Sequence, residues 1–340
     1  MTDATRDRLF AVQQAFEHPV TLWSAVGIAV TVVGFGIVIQ VLRRVGATST
    51  STHAELMSRW KSWLWLVAII LFPVLLGAAW TIVGIAVLSL LCYREYARAT
   101  GIAQQTTINA VVVIGIVLLA FAAIDHWERL FFALAPLTVI VIATASIHND
   151  QPQGYVQRVA LGTFGFLLFG FSLAYVSMMS NATDYRPLLI MILIGVEMND
   201  IFAYCVGKTI GKRKLLPNTS PGKTVAGAVG ALLLTTALVA CIGHFVFANS
   251  AMDNPLILIT LGFIVGGIGQ LGDLMLSSIK RDVGIKDSGS AIPGHGGILD
   301  RFDSLVLVPP VVYHYVSLKL GEGKWLGSEE TTRIFSSSWF

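Results

Sequence analysis

Long apolar runs alternate with short polar breaks along nearly the whole 340-residue chain. A run of roughly 20 apolar residues is long enough for a helix to cross a bilayer. Ten such segments are predicted, at about 20–42, 62–77, 79–93, 107–124, 130–147, 159–180, 187–207, 225–248, 255–279 and 304–320. The second, third and tenth are short. Pro73 falls within the second and Pro309-Pro310 within the tenth, which predicts bends there. The pattern implies an all-α polytopic integral membrane protein with about ten transmembrane helices, eight to ten being compatible with the short runs.

Composition agrees. Hydrophobic residues make up 55% of the chain and charged residues 13%, and the mean hydropathy is +0.73. A soluble globular chain carries about a quarter charged residues. The expected surroundings are therefore a lipid bilayer, with no nucleic-acid partner. The net charge of +3 is small, but its distribution is uneven. With the N-terminus outside, most of the 23 lysines and arginines fall on inner loops. The positive-inside rule then places the polar loops 208–224 and 280–303 in the cytoplasm. That reading predicts a multi-pass protein of the bacterial inner (cytoplasmic) membrane, with its first apolar run retained as a span rather than cleaved.

Three stretches follow from the same pattern. Residues 1–186 read as an N-terminal transmembrane region, 187–320 as a C-terminal transmembrane region that carries the chemistry, and 321–340 as a tail. Residues 1–19 are expected to form a short interfacial helix with Leu9, Phe10, Val12 and Phe16 on one side. The link 45–61, with its TSTSTH run, is expected to be exposed. Glu95, Asp125 and Glu128 fall at span ends and read as solvated interfacial charges. Cys92, Cys205 and Cys241 lie in apolar segments and read as small packing residues.

Polar chemistry concentrates after residue 187. In GVEMNDIFAY, Glu197 and Asp200 are three apart and Asp200 and Tyr204 four apart, so on a helix they share a face. The basic, glycine-containing loop that follows ends in Ser220-Pro221-Gly222-Lys223-Thr224. It suits a phosphate approached by backbone and lysine, or is an ordinary basic loop that sets topology. The 255–279 segment is rich in glycine and carries Asp273 and Ser277 four apart. They form a partial shell for a cation, or a helix-end acid awaiting Lys280 or Arg281. The stretch SSIKRDVGIKDSGSAIPGHGGILDRFD, residues 277–303, then mixes carboxylates, cations, glycines and His295 between two apolar runs. Ionisable groups in that setting are costly and usually functional. His295, among glycines, reads as a catalytic or phosphate-contacting histidine, and Arg301 as a carboxylate partner or a bidentate phosphate ligand.

These last residues resemble the signature of the phosphatidate cytidylyltransferases, the CDP-diacylglycerol synthases. Ser277, Lys280, Arg281, Lys286, Asp287, Gly289, Ile292, Pro293, His295, Gly296, Gly297, Asp300, Arg301 and Asp303 occupy its fixed positions. NDIFAY and SPGKT are similar to two upstream elements of the family, so the specific resemblance covers about residues 197–303. The resemblance implies CTP and phosphatidate as substrates and Mg²⁺ or another divalent cation as cofactor, with an additional, monovalent cation left open. It implies Asp273, Asp300 and Ser277 as metal ligands. Lys223, Ser220, Lys280, Arg281, Lys286 and Arg301 would bind substrate phosphates, with Asp200 and His295 in supporting catalytic roles. One departure stands out: the family follows S-P-x-K-T with an acid and a glycine, where this chain has Ala226-Gly227. Glu197 is the candidate replacement for the missing acid. A CTP-dependent isoprenoid lipid kinase, an ion-coupled transporter and a noncatalytic relative are the competing readings, and a homodimer is left open.

Overall fold

The computed structural model describes residues 3–148, 150–182, 184–289, 296–321 and 334. A short helix α1 (Asp3–Phe10) precedes α2 (Pro19–Arg44), α3 (Thr50–Leu76), α4 (Ala78–Thr100), α5 (Thr106–Ile124) and α6 (Glu128–Ala145). The next span begins as α7 (Tyr155–Gly165), widens into a π-helical segment at Phe166–Ser172 and ends as α8 (Leu173–Met179). Helix α9 (Tyr185–Ile210) leads into strands β1 (Lys214–Leu216) and β2 (Ser220–Thr224). Helices α10 (Val225–Val246), α11 (Pro255–Asp282), α12 (Leu299–Phe302) and α13 (Val308–Leu320) follow.

Among the described residues nine helices are long and apolar enough to cross a membrane. The predicted tenth span is the 13-residue α13. At about 1.5 Å per residue it reaches only about two-thirds of a 30 Å hydrocarbon layer. The apolar run begins at 304, but turns occupy 303–307 and the two prolines sit at the first helical positions of α13, where a missing N–H costs nothing. The irregular backbone there is buried against protein: the Ser172 hydroxyl, carried by the π segment, donates to the Val306 carbonyl. Non-helical backbone at membrane depth survives only with partners of this kind.

The 45–61 link is mostly exposed, as expected, and is mostly helix, because Ser49 accepts the Thr52 amide at 3.1 Å and starts α3 early. One further expectation changes. Of the four apolar residues expected on one side of the N-terminal segment, Leu9 turns inward, while Phe10, Val12 and Phe16 stay exposed. Beside Leu9, Arg8 donates to the Ile124 carbonyl at 2.8 Å and to Asn181.

The core is one continuous apolar cluster running from Val74 to Val316. Its C-terminal part depends on small residues. At Gly262 on α11 an added Cβ would come within 2.5 Å of the Thr236 carbonyl oxygen on α10, so the two backbones touch. A buried amide network ties the same three helices: Asn199 on α9 accepts from Thr235 of α10 and from Gln270 of α11, each at 3.2 Å, and donates to the Gly266 carbonyl. The ends of α9, α10 and α11 are thereby fixed relative to one another.

Candidate active site

That fixed end carries the polar residues. Strands β1 and β2 pair antiparallel, Lys214 opposite Thr224 and Leu216 opposite Ser220, so SPGKT lies on a hairpin strand ahead of α10. Thr224 caps α10 by accepting the Gly227 amide at 3.1 Å, which fixes where the adjacent Lys223 leaves the chain. The Lys223 ammonium forms an ion pair with Asp273 on α11. Asp273 also accepts from Ser277, one turn on, at 3.1 Å.

The described residues of the 280–303 stretch add further contacts at this end. Arg281 donates from Nε to the Thr219 carbonyl at 3.2 Å and from its terminal nitrogen to Ile285, latching the hairpin turn to the end of α11. The two polar loops therefore share one end of the bundle, as their charge predicted. Lys280 donates to Asp300 Oδ1 at 2.8 Å, while Asp300 Oδ2 accepts the amides of Ser288 at 2.8 Å and Gly297 at 3.0 Å. Burial pushes the Asp300 carboxyl up, but the Lys280 hydrogen bond, the Gly297 amide, the Lys280 charge and the Ser288 amide outweigh it. The net position is below the usual carboxylate value.

Gly272 lets this segment close onto α11, since a Cβ there would come within 2.6 Å of the Asp303 carbonyl oxygen. The approach places Ser304 so that its hydroxyl donates to Asp200 on α9 at 3.2 Å. Asp303 is held well above its usual carboxylate range, by burial first and then by the charges of Asp273 and Asp200. Asp200, Asp273 and Asp303 thus crowd one another, with the hydroxyls of Ser277 and Ser304 beside them. Among the described residues no group of three or more His, Cys, Asp or Glu side chains stands at metal-ligand spacing.

The predicted residues are distributed unevenly. Asp273, Ser277, Lys223, Lys280, Asp300 and Asp200 converge, whereas Arg281 is taken up by backbone carbonyls and Lys286 is exposed. Arg301 lies within electrostatic reach of Glu197 and Asp200, and its Nε is buried without a hydrogen-bond partner among the described residues. Glu197 therefore neighbours a guanidinium. Ser220 opens strand β2. His295 lies outside the described residues.

The reading of span-end acids as solvated is corrected at two positions. Asp125 is fully buried and accepts the Ile334 amide at 2.9 Å. Glu95 is 9% exposed and meets the 280–303 loop. Of the cysteines only Cys92 is buried, whereas Cys205 and Cys241 lie on the outer surface of their helices.

A helical bundle with nine candidate spans among its described residues, and with lysines, carboxylates and hydroxyls gathered at one end, is a polytopic integral membrane protein. Residues 57–319 match the family model described as the cytidylyltransferase family, and the chain belongs to that family, as a nucleotidyltransferase. It is 31% identical over 269 residues to an Escherichia coli (strain K12) protein, "Uncharacterized protein YnbB", covering 77% of this chain and 87% of that one. It is 36% identical over 200 residues to the phosphatidate cytidylyltransferase of Bacillus subtilis (strain 168), covering 58% and 72%. To the phosphatidate cytidylyltransferase of Staphylococcus aureus (strain COL) it is 31% identical over 252 residues, covering 73% and 94%.

Proposed function

We propose that the protein transfers the cytidylyl group of CTP to phosphatidate, releasing diphosphate and forming CDP-diacylglycerol. The reaction would take place at the cytoplasmic face of the inner membrane, with the chemistry in residues 187–320. The observation that carries this reading is the junction of two surfaces. The Lys280–Asp300 pair and the Lys223–Asp273 pair stand at the bundle end. Beside them, Ile298 and Phe302 line one wall of an apolar groove of about 750 Å³ between α3, α4, α8 and α9. That volume suits lipid chains, and a phosphate attached to them would emerge next to the lysines.

A phosphate monoester has its second pKa near about 6, so the lipid phosphate is already largely a nucleophile at neutral pH. Its oxygen attacks the α-phosphorus of CTP, the α–β bridge bond breaks, and diphosphate leaves with that electron pair. No strong general base is needed. The obstacle is repulsion between two anions, and positioned cations relieve it. Lys223, Lys280 and Arg301 are the groups that would share the phosphate charge, Arg301 with a buried nitrogen still free to donate.

A divalent cation such as Mg²⁺ fits the donors present. Asp200, Asp273 and Asp303 with Ser277 and Ser304 supply hard oxygens; burial first, and then the charges of Asp273 and Asp200, raise Asp303, and a cation would relieve the repulsion part. Asp273, Ser277 and Asp300 are the residues that would hold it. Bound there, the ion would neutralise triphosphate charge and help diphosphate depart. The test is an acceptor panel with purified protein, CTP and Mg²⁺ in mixed micelles. Phosphatidate should support diphosphate release, and diacylglycerol and isoprenoid alcohols should not. Turnover with an isoprenoid alcohol but not phosphatidate would overturn the proposal in favour of a lipid kinase.

A further inference from the structure

Glu95 lies near the end of α4, outside the C-terminal region that carries the signature, and among the described residues no lysine or arginine pairs with it. Its carboxylate is instead spent on the signature loop. Oε1 accepts the Ile298 amide at 3.0 Å, and Oε2 accepts the Leu299 amide at 2.8 Å and the Ser288 hydroxyl at 3.2 Å. The loop is shaped to admit it: an added Cβ at Gly289 would come within 2.8 Å of the carboxylate, and one at Gly297 within 2.5 Å. A buried anion without a counter-charge is stable only when donors surround it, and here they are backbone amides whose direction is thereby fixed.

We propose that Glu95 is a positioning residue for nucleotidyl transfer, holding Ser288 and the 297–299 backbone in the arrangement that presents Asp300 to Lys280. The two carboxylates bind adjacent donors of the same two segments. Asp300 takes the amides of Ser288 and Gly297, and Glu95 takes the hydroxyl of Ser288 and the next two amides, Ile298 and Leu299. Neither acid can move without disturbing donors adjacent to the other's. Helix α4 also supplies a wall of the apolar groove, through Ile85, Leu88 and Leu91 among others. One helix therefore carries both the lipid-facing wall and the clamp on the phosphate-handling loop. This inference rests on the transfer reaction proposed above, and its role in catalysis is indirect, since Glu95 touches only protein.

The test compares the intact chain with Glu95→Gln, Glu95→Asp and Gly297→Ala, in detergent with phosphatidate, CTP and Mg²⁺. Gln keeps the shape but removes the charge and aims an N–H₂ at backbone donors, so kcat should fall at least about tenfold with the phosphatidate KM unchanged. Amide hydrogen exchange at Ile298 and Leu299 should quicken about tenfold while that of α10 stays the same. Asp keeps the charge at shorter reach and should restore part of both readouts. If the Gln protein aggregates, Asp and Gly297→Ala are read alone and should show the same slowed turnover and quickened exchange. Unchanged kcat, or unchanged exchange at 298 and 299, overturns the inference. A parent protein that transfers nothing overturns the proposed reaction instead, and the exchange readout still judges the clamp.

Discussion

At the scale of single residues, the site is a set of matched pairs. Lys223 and Asp273 neutralise one another on two different elements, and both are only slightly exposed, at 21% and 16% of their side chains. Removing one member leaves the other as a partly buried lone charge. Lys223→Met should therefore lower kcat by about a hundredfold, the scale of losing one electrostatic contact to the reacting group, as measured by diphosphate release at saturating lipid. Full activity would remove Lys223 from the site. Glu197 is a separate question, because it sits beside Arg301 and Asp200. Glu197→Gln should weaken the Mg²⁺ dependence of turnover if Glu197 stands in for the acid absent at Ala226, and wild-type metal titration would sink that idea. Much of this was legible in the sequence, since Asp273 and Ser277 share a helix face and Lys280 to Asp303 form one dense signature. Glu95 was not. Its amide partners lie 203 and 204 positions away, and nothing in YREYAR separates a buried clamp from an interfacial charge.

At the scale of elements, hydropathy located the spans because helices in lipid must satisfy their own backbones. It misjudged the ends, where other forces decide. Ser49 caps a polar turn into α3 that composition reads as a loop. The last apolar run is divided by turns at 303–307, whose Val306 carbonyl is met by Ser172, so only the final 13 residues are helical. The hairpin Lys214–Thr224 was hidden by its shortness and basic charge, and Arg281 holds it to α11. The groove between α3, α4, α8 and α9 could not be foreseen, since it is a property of packing. Its wall yields a prediction: Leu88→Trp should raise the KM for long-chain phosphatidate severalfold and leave that for CTP unchanged. A change confined to CTP would mean that the groove does not receive the lipid.

At the scale of the whole molecule, the amide network around Asn199 and the glycine contact at Gly262 keep α9, α10 and α11 in register. Three separated stretches of sequence thereby meet at one membrane surface. The proposed cytoplasmic placement of that surface rests on the charge asymmetry of the loops. In a chain freed of its three cysteines, a cysteine replacing exposed Lys212 should react with an impermeant reagent only in inverted vesicles. One replacing Asp253, at the opposite end of α10, should react only from the outside. The reverse pattern would invert the topology and separate the site from cytoplasmic CTP.

The most direct measurement uses CTP labelled separately at the α and γ phosphates, with phosphatidate, Mg²⁺ and purified protein in mixed micelles. The α label should enter the lipid and the γ label should leave in diphosphate, with both transfers lost in Asp300→Asn. Label from the γ position in the lipid, or no movement of either label, would contradict cytidylyl transfer.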